Sequence, residues 1–217
     1  MSDFVHLHVH SHYSLLDGLP KIPELIAAAK KHEMSALGLT DHGALYGALE
    51  FYKQAQRAGI KPIVGVECYL APEDLQQKTG GNADYFHLTL LARNAEGYHN
   101  LLELVTIANL EGYYYRPRID KTVLKRLRGG LIGLSGCLRG EIARSLAAKN
   151  LDQARRLAAE YRDIFEKDCF YLEIQRNIKD GKNEPLQQTV NDSLVKLGTE
   201  LNLPIVATND VHYLEPE

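Results

Sequence analysis

Four histidines alternate in the stretch FVHLHVHSHYS: His6, His8, His10 and His12, out of nine in 217 residues. Imidazole binds metal ions and exchanges protons near neutral pH, so the spacing asks whether several rings serve one centre. Other groups able to hold an ion recur downstream. TDHG carries Asp41 and His42, GVECYL carries Glu67, FHLTLLA carries His87, and LSGC carries Cys137. FYLEIQ adds Glu173 and Gln175, and TNDVHY adds Asp210 and His212. Imidazole, carboxylate and thiolate together suit Zn²⁺, Mn²⁺ or Fe²⁺. Taken singly, each has a plainer role. A histidine beside a strand packs and hydrogen-bonds, a lone Cys137 acts as a small buried hydrophobe, and Asp41 before HGALYGALE is a candidate helix cap.

What must position these groups is a series of short apolar runs, each followed by a helical pattern. FVHLHVH, SALGLT, KPIVGVECYL, FHLTLLA, GLIGLS, CFYLEIQ and LPIVAT read as strands. Between them, KIPELIAAAKKH, LYGALEFYKQAQRAG, EGYHNLLELVTIANLEG, LDQARRLAAEYRDIF and LQQTVNDSLVKLGTEL repeat apolar residues at helical steps. EDLQQKTGGNAD, from Glu73 to Asp84, reads as a surface loop. Strands alternating with helices predict parallel β/α units. Seven of them predict an α/β, TIM-like (β/α)7 barrel, with a doubly wound open sheet as the alternative. Chemistry in such a barrel collects at the C-terminal strand ends, where nearly every run above carries a His, Cys or carboxylate. That coincidence points to a metal centre. Alternation places His6, His8 and His10 on one strand face. His6, about 7 Å deeper than His10, is then barrel filling. His12 lies beyond the strand and is exposed, and His32 and His99 fall on helix surfaces.

Composition narrows the classes. Apolar residues make up 45% and the net charge is −3, so no bulk basic field recruits nucleic acid. No apolar run is long enough to span a membrane, and MSDFVHLHVH lacks the pattern of a signal peptide. Three cysteines without framework spacing suit a reducing, cytoplasmic setting.

HLHVHSHYSLLDG, TDHG, GIKPIVGVECYL, YFHLTLLARN, YYYRPRID, GLIGLSGCLRGE and VATNDVHY together resemble the PHP (polymerase and histidinol phosphatase) domain. They are most similar to the branch at the N-terminus of bacterial C-family replicative DNA polymerases. The resemblance implies one domain over residues 1–217, cut from a longer polymerase chain. It implies two to three divalent transition-metal ions held by His8, His10, Asp17, His42, Glu67, His87, Cys137, Asp210 and His212. In that scheme His8, His10, Glu67 and Asp210 hold one ion. Glu67 bridges to a second with His87 and Cys137, and Asp17, His42 and His212 hold a third. The catalyst would be a water activated by the ligand cluster around bridging Glu67. The implied activity is a metal-dependent phosphodiesterase, a proofreading 3′–5′ exonuclease, whose partners are a DNA 3′ end and the remaining polymerase domains. A histidinol-phosphate-type phosphomonoesterase and a non-catalytic, metal-stabilised scaffold are the alternatives. Arg118 in RPRID is the candidate to bind a substrate phosphate, against a structural ion pair with Asp120. GYYYRPR combines tyrosines and arginines suited to stacking on and pairing with a DNA end.

Overall fold

A computed structural model describes residues 4–78, 85–176 and 184–215. The described strands are β1 (Ala36–Leu39), β2 (Lys61–Leu70), β3 (Phe86–Ala92), β4 (Arg118–Ile119), β5 (Leu131–Leu134), β6 (Phe170–Gln175) and β7 (Ile205–Thr208). The helices are α1 (Ile22–Lys31), α2 (Ala48–Ala58), α3 (Ala95–Leu110), α4 (Lys121–Arg126), α5 (Glu141–Ala147), α6 (Leu151–Ile164) and α7 (Glu184–Leu201). The strands form one seven-stranded sheet in the order β1-β2-β3-β5-β6-β7, with β4 paired to the end of β2. It is a distorted TIM-like barrel. No helix among the described residues is long and apolar enough to cross a membrane.

The sheet departs from the expected all-parallel pattern at β3, which runs antiparallel to both β2 and β5. A parallel pair needs a long crossover, usually a helix. The residues described between β2 and β3 supply only turns, so the chain comes straight back. The loop expected over Glu73–Asp84 agrees as far as residue 78; its remainder, 79–84, lies outside the described residues. The tyrosine-rich stretch yields β4, a two-residue strand whose Arg118 pairs with Tyr69.

The first expected strand is irregular. Gly38 N–H donates to His6 O, yet Thr40 N–H donates to Val9 O. One side advances two residues while the other advances three, which is the signature of a bulge. The Thr40 hydroxyl fills in, accepting from Val9 N–H and donating to Val9 O. Gly38 makes this approach possible, because a Cβ there would meet the Leu7 carbonyl oxygen at 2.7 Å. On its other side the segment exchanges backbone hydrogen bonds with Val211, beyond β7. Residues 6–10 thus join the two ends of the sheet.

The bulge also moves His6. It lines a cavity of about 500 Å³ together with Val9, Leu25, Ala28, Ala29 and His32, instead of filling the barrel interior beneath His10. Val9 packs with Ile22, Leu25, Leu37, Leu39 and Phe51 in a small core under α1 and α2. A larger core joins β2, β3, β5 and β6 to α3, α6 and α7 through Val66, Leu90, Leu104, Leu131, Leu157, Phe170 and Leu194. Burying each such side chain stabilises by about 1.5–3 kcal/mol, and the strand ends are held between these two cores.

Candidate metal centre

Glu67, on β2, is 1% exposed and stands at the centre of the cluster. Its Oε1 lies 2.7 Å from His87 Nδ1 and 3.4 Å from His8 Nε2. Its Oε2 lies 2.6 Å from His42 Nδ1 and 3.7 Å from His10 Nε2. Asp210 closes the far side, with Oδ1 3.2 Å from His8 Nε2, 3.1 Å from His10 Nε2 and 3.5 Å from His212 Nδ1. Asp210 reaches in from a left-handed backbone, φ 50°. Three groups have ligand atoms within 4.8 Å of one another: His8/His10/Asp210, Glu67/His87/Cys137 and His10/His42/His212. Asp17 flanks the last, with Oδ1 3.2 Å from His42 Nε2 and 3.9 Å from His212 Nε2.

These contacts are close without being satisfied. Nine buried side-chain polar atoms among the described residues have no hydrogen-bond partner. Six of them belong to this cluster: His8 Nε2, His10 Nε2, His42 Nδ1, His87 Nε2, Glu67 Oε2 and Asp210 Oδ1. An unpaired buried polar atom costs about 1–3 kcal/mol, so folded proteins rarely collect them. Lone pairs converging on one space without hydrogen-bond alignment fit a cation there, and the mixed nitrogen, oxygen and sulfur donors fit a transition metal.

A ring of buried groups behind the cluster orients it. His8 Nδ1 lies 2.7 Å from Glu173 Oε1 and 3.3 Å from the Thr89 hydroxyl. Glu173 also accepts from Gly136 N–H, the Gln175 amide and the Thr208 hydroxyl. His10 Nδ1 meets the Ser14 hydroxyl at 2.9 Å, and Ser14 donates to Asp41. Such partners fix the ring so that its other nitrogen faces the ion. Glu173 stood among the strand-end carboxylates but outside the expected ligand set, and the structure makes it a support for His8. Asp41 is not a helix cap. α2 begins only at Ala48, and Asp41 instead holds the Ser11–Ser14 turn by accepting from Ser11 N–H and both hydroxyls.

Electrostatics follow the same map. Burial works against the charge on Glu67, yet His87, His42 and His8 hold its carboxyl well below the usual range. Asp210 is likewise buried, but His8 and His10 bring it down to about 2. Burial disfavours a charged His8, and Asp210 with Glu173 overcomes it, raising the ring's pKa. His42 rises too, because its contact with Glu67 outweighs burial. His10 falls, since burial prevails over Asp210. Burial, reinforced by Glu67, pushes the Cys137 thiol up. The negative charge of Glu67 and Asp210 thus raises His8 and His42 in the space a cation would occupy.

Arg118 does not face this centre. It is 4% exposed, and its guanidinium donates to the carbonyls of Gly112, Leu75 and Gln77. Nor does it pair with Asp120, which caps α4 by accepting from Val123 N–H and also accepts from Leu75 N–H. His12 is half-buried against Tyr13, whereas His32 and His99 are exposed, as expected.

An α/β barrel carrying this cluster at its strand ends defines a class, and the sequence agrees: residues 6–177 match the PHP domain. The chain belongs to the PHP domain family. Within it, the chain is 48% identical over 219 residues to DNA polymerase III subunit alpha of Borreliella burgdorferi, covering 100% of this chain and 18% of that protein. It is 44% identical to DNA polymerase III subunit alpha of Thermus aquaticus, over 99% of this chain and again 18% of the relative. The chain therefore spans under a fifth of the length of these relatives. Among solved structures, an amidohydrolase from Chromobacterium violaceum with bound sulfate and no metal superposes with TM-score 0.60 at 15% identity. That match covers 96% of this chain and 87% of the other. A two-domain protein from Bacteroides vulgatus, predicted to contain a PHP-like metal-dependent phosphoesterase, superposes with TM-score 0.52 at 15% identity, over 96% and 51% of the two chains.

Proposed function

We propose that this domain hydrolyses phosphate esters with two or three divalent transition-metal ions, and that its substrate is the 3′ end of DNA. The observation that carries this reading is the set of six unpaired, buried ligand atoms around Glu67 and Asp210. His8, His10 and Asp210 would hold one ion, and Glu67 would bridge from it to a second beside His87 and Cys137. Asp17, His42 and His212 would hold the third. Such ions, Zn²⁺, Mn²⁺ or Fe²⁺, supply an activated water and polarise a phosphoryl oxygen.

The chain's own residues do the rest. Glu173 and the Ser14–Asp41 pair hold His8 and His10 in fixed orientation. Glu67 keeps its negative charge to far below neutral pH, so it remains a ligand throughout. Asp17, His42 and His212 lie on the solvent side, where an ester would enter. The similarity to DNA polymerase III subunits alpha supports a nucleic-acid substrate and a domain carried within a longer polymerase chain, whose other parts would present the primer end. Three free cysteines suit a reducing, cytoplasmic compartment.

The test is incubation of ion-loaded protein with a 3′-labelled primer and, in parallel, with histidinol phosphate. Release of 3′ nucleotides, abolished by chelator, is expected. Turnover of histidinol phosphate alone would assign a phosphomonoesterase, and turnover of neither, with ions bound, a scaffold.

A further inference from the structure

We infer that Arg116 and Arg139 are paired phosphate anchors at the rim of the centre, and that the site takes a polynucleotide strand whose neighbouring phosphates they grip. This rests on the phosphoesterase reading above and adds the residues that would hold the substrate's neighbouring phosphates.

An aromatic layer covers the Glu67/His87/Cys137 flank. Tyr85 stacks on His87, with centroids 5.8 Å apart and planes at 7°. Tyr69 meets His87 edge-on at 5.4 Å and Tyr85 edge-on at 4.8 Å, and stacks near-parallel to His42 at 5.9 Å. Each tyrosine carries one guanidinium: Arg116 lies 5.7 Å from the Tyr69 centroid, and Arg139 lies 5.8 Å from that of Tyr85. Among the described residues neither arginine has a carboxylate within ion-pair distance. Arg93, Arg126, Arg155 and Arg162, by contrast, pair with Glu166, Glu103, Glu200 and Asp163. A guanidinium held over an aromatic ring, with no carboxylate beside it, keeps its N–H fork free, and that fork matches phosphate.

The local backbone is built to hold Arg116 there. Tyr114 N–H donates to Arg116 O across a tight turn whose apex, Tyr115, has φ 59°. That region is sparsely populated for a bulky residue. Next along the chain, Pro117 seats on Gly43, where a Cβ would meet Pro117 Cγ at 2.7 Å and where φ is +57°. Buried Arg118 then nails the strand down through its three carbonyl contacts. The turn thus holds Arg116 over Tyr69, with the next residue, Pro117, seated on the glycine that follows His42. Arg139 follows Cys137 by two residues, and its carbonyl accepts from His87 N–H. Arg139 is therefore fixed to the segment that carries Cys137, and Arg116 to the short strand that pairs with β2, which carries Glu67. A single reacting phosphate is provided for by the ligand cluster. Two further cations on fixed ring platforms fit a substrate with more phosphates than one, and a strand supplies them at regular spacing.

The experiment has a binding arm and a kinetic arm. In chelator, where nothing can be cleaved, the 217-residue chain is titrated into a fluorescent single-stranded oligonucleotide over a salt series. Arg116→Ala and Arg139→Ala should each weaken binding about tenfold and reduce the slope of log K against log salt by about 0.7. Arg155→Ala removes the same charge from a distant helix and should change neither. With ions present, kcat/KM for the oligonucleotide should fall about tenfold more than kcat/KM for bis(p-nitrophenyl) phosphate. Arg116→Lys keeps the charge without the fork and should recover only part of the loss. Arg139 is exposed, so its variant reports even if Arg116→Ala misfolds. Weakened binding with no hydrolysis of any ester would uphold the anchors and defeat the exonuclease. Wild-type binding and slope in both alanine variants, or equal kinetic losses on both substrates, would overturn the anchors.

Discussion

On one side of Glu67, His8, His10 and His87 are sealed from solvent; on the other, Asp17 is 53% exposed, and His42 and His212 are partly open. The sealed side is backed by hydrogen-bonded groups, Glu173 behind His8 and the Ser14–Asp41 pair behind His10. Asp17, by contrast, sits in a surface turn between the exposed Leu16 and Leu19. Two parts of one centre are thus built to different standards. Burying ligands forces the fold to settle their charge, so the inner positions are coupled to stability. A ligand on an open turn costs the fold little, and an ion held there can exchange or meet substrate without disturbing the core.

The strongest test of that contrast is Glu67→Ala, which removes the one carboxylate that approaches four histidines. An ion at a hundred times its Kd stabilises a folded chain by about 2.7 kcal/mol, or roughly 5–10 °C in Tm at this size. Wild-type protein should show that rise on adding Zn²⁺ or Mn²⁺. The variant should not, and elemental analysis should find at most the one ion that Asp17, His42 and His212 would hold. A variant that keeps both the ion and the rise would remove Glu67 from the centre.

Glu173→Gln comes next. It touches no position where an ion would sit, but its neutral amide puts a donor where the carboxylate oxygens accept four hydrogen bonds. Loss of such an outer partner costs about 10–100-fold in metal affinity. A competitive chelator titration reads this directly. An unchanged affinity would reduce Glu173 to a packing residue of β6.

Protons compete with ions on the sealed side, and the sign is set by His8. Its folded pKa is raised, so the ring is still protonated at pH values where a free imidazole is neutral. Ion uptake requires the neutral ring. Affinity should therefore fall as pH drops through and below neutral, by about tenfold per unit for each proton displaced. In Glu173→Gln the ring loses one of the charges that raise it, so the fall should begin at lower pH. Metal titrations at a series of pH values check both statements.

The chemistry of this centre was legible because six of the seven apolar runs carry a ligating residue at or near one end. What was not legible has local causes. The extra residue in the 6–9 segment is invisible to alternation, which points His6 into the barrel interior, whereas it lies against α1. The reversal of β3 depends on the connection from β2, whose described residues form only turns, rather than on the strand's own residues. β4 is two residues long and exists only because β2 offers Tyr69 and Leu70 as partners. In RPR the two arginines are equivalent as letters. The proline seats one over a tyrosine at the rim, while the other is buried among carbonyls. Asp41 had the spacing of a helix cap and serves Ser11 and Ser14, a contact 27–30 residues away in sequence.

The smallest expected effect lies on the open side. Asp17→Asn keeps the shape of the side chain and removes its charge from beside His42 and His212. Because the residue is more than half exposed and bears no core contact, stability without ions should stay within about 0.5 kcal/mol of wild type. The inner ions should remain, since their ligands are Glu67, Asp210 and the buried histidines. Loss should be confined to the third ion, seen as one fewer equivalent in a titration and a weaker dependence of activity on added Mn²⁺. If Asp17→Asn instead emptied the whole centre, the two sides would be one cooperative site. The difference in burial between them would then carry no difference in binding.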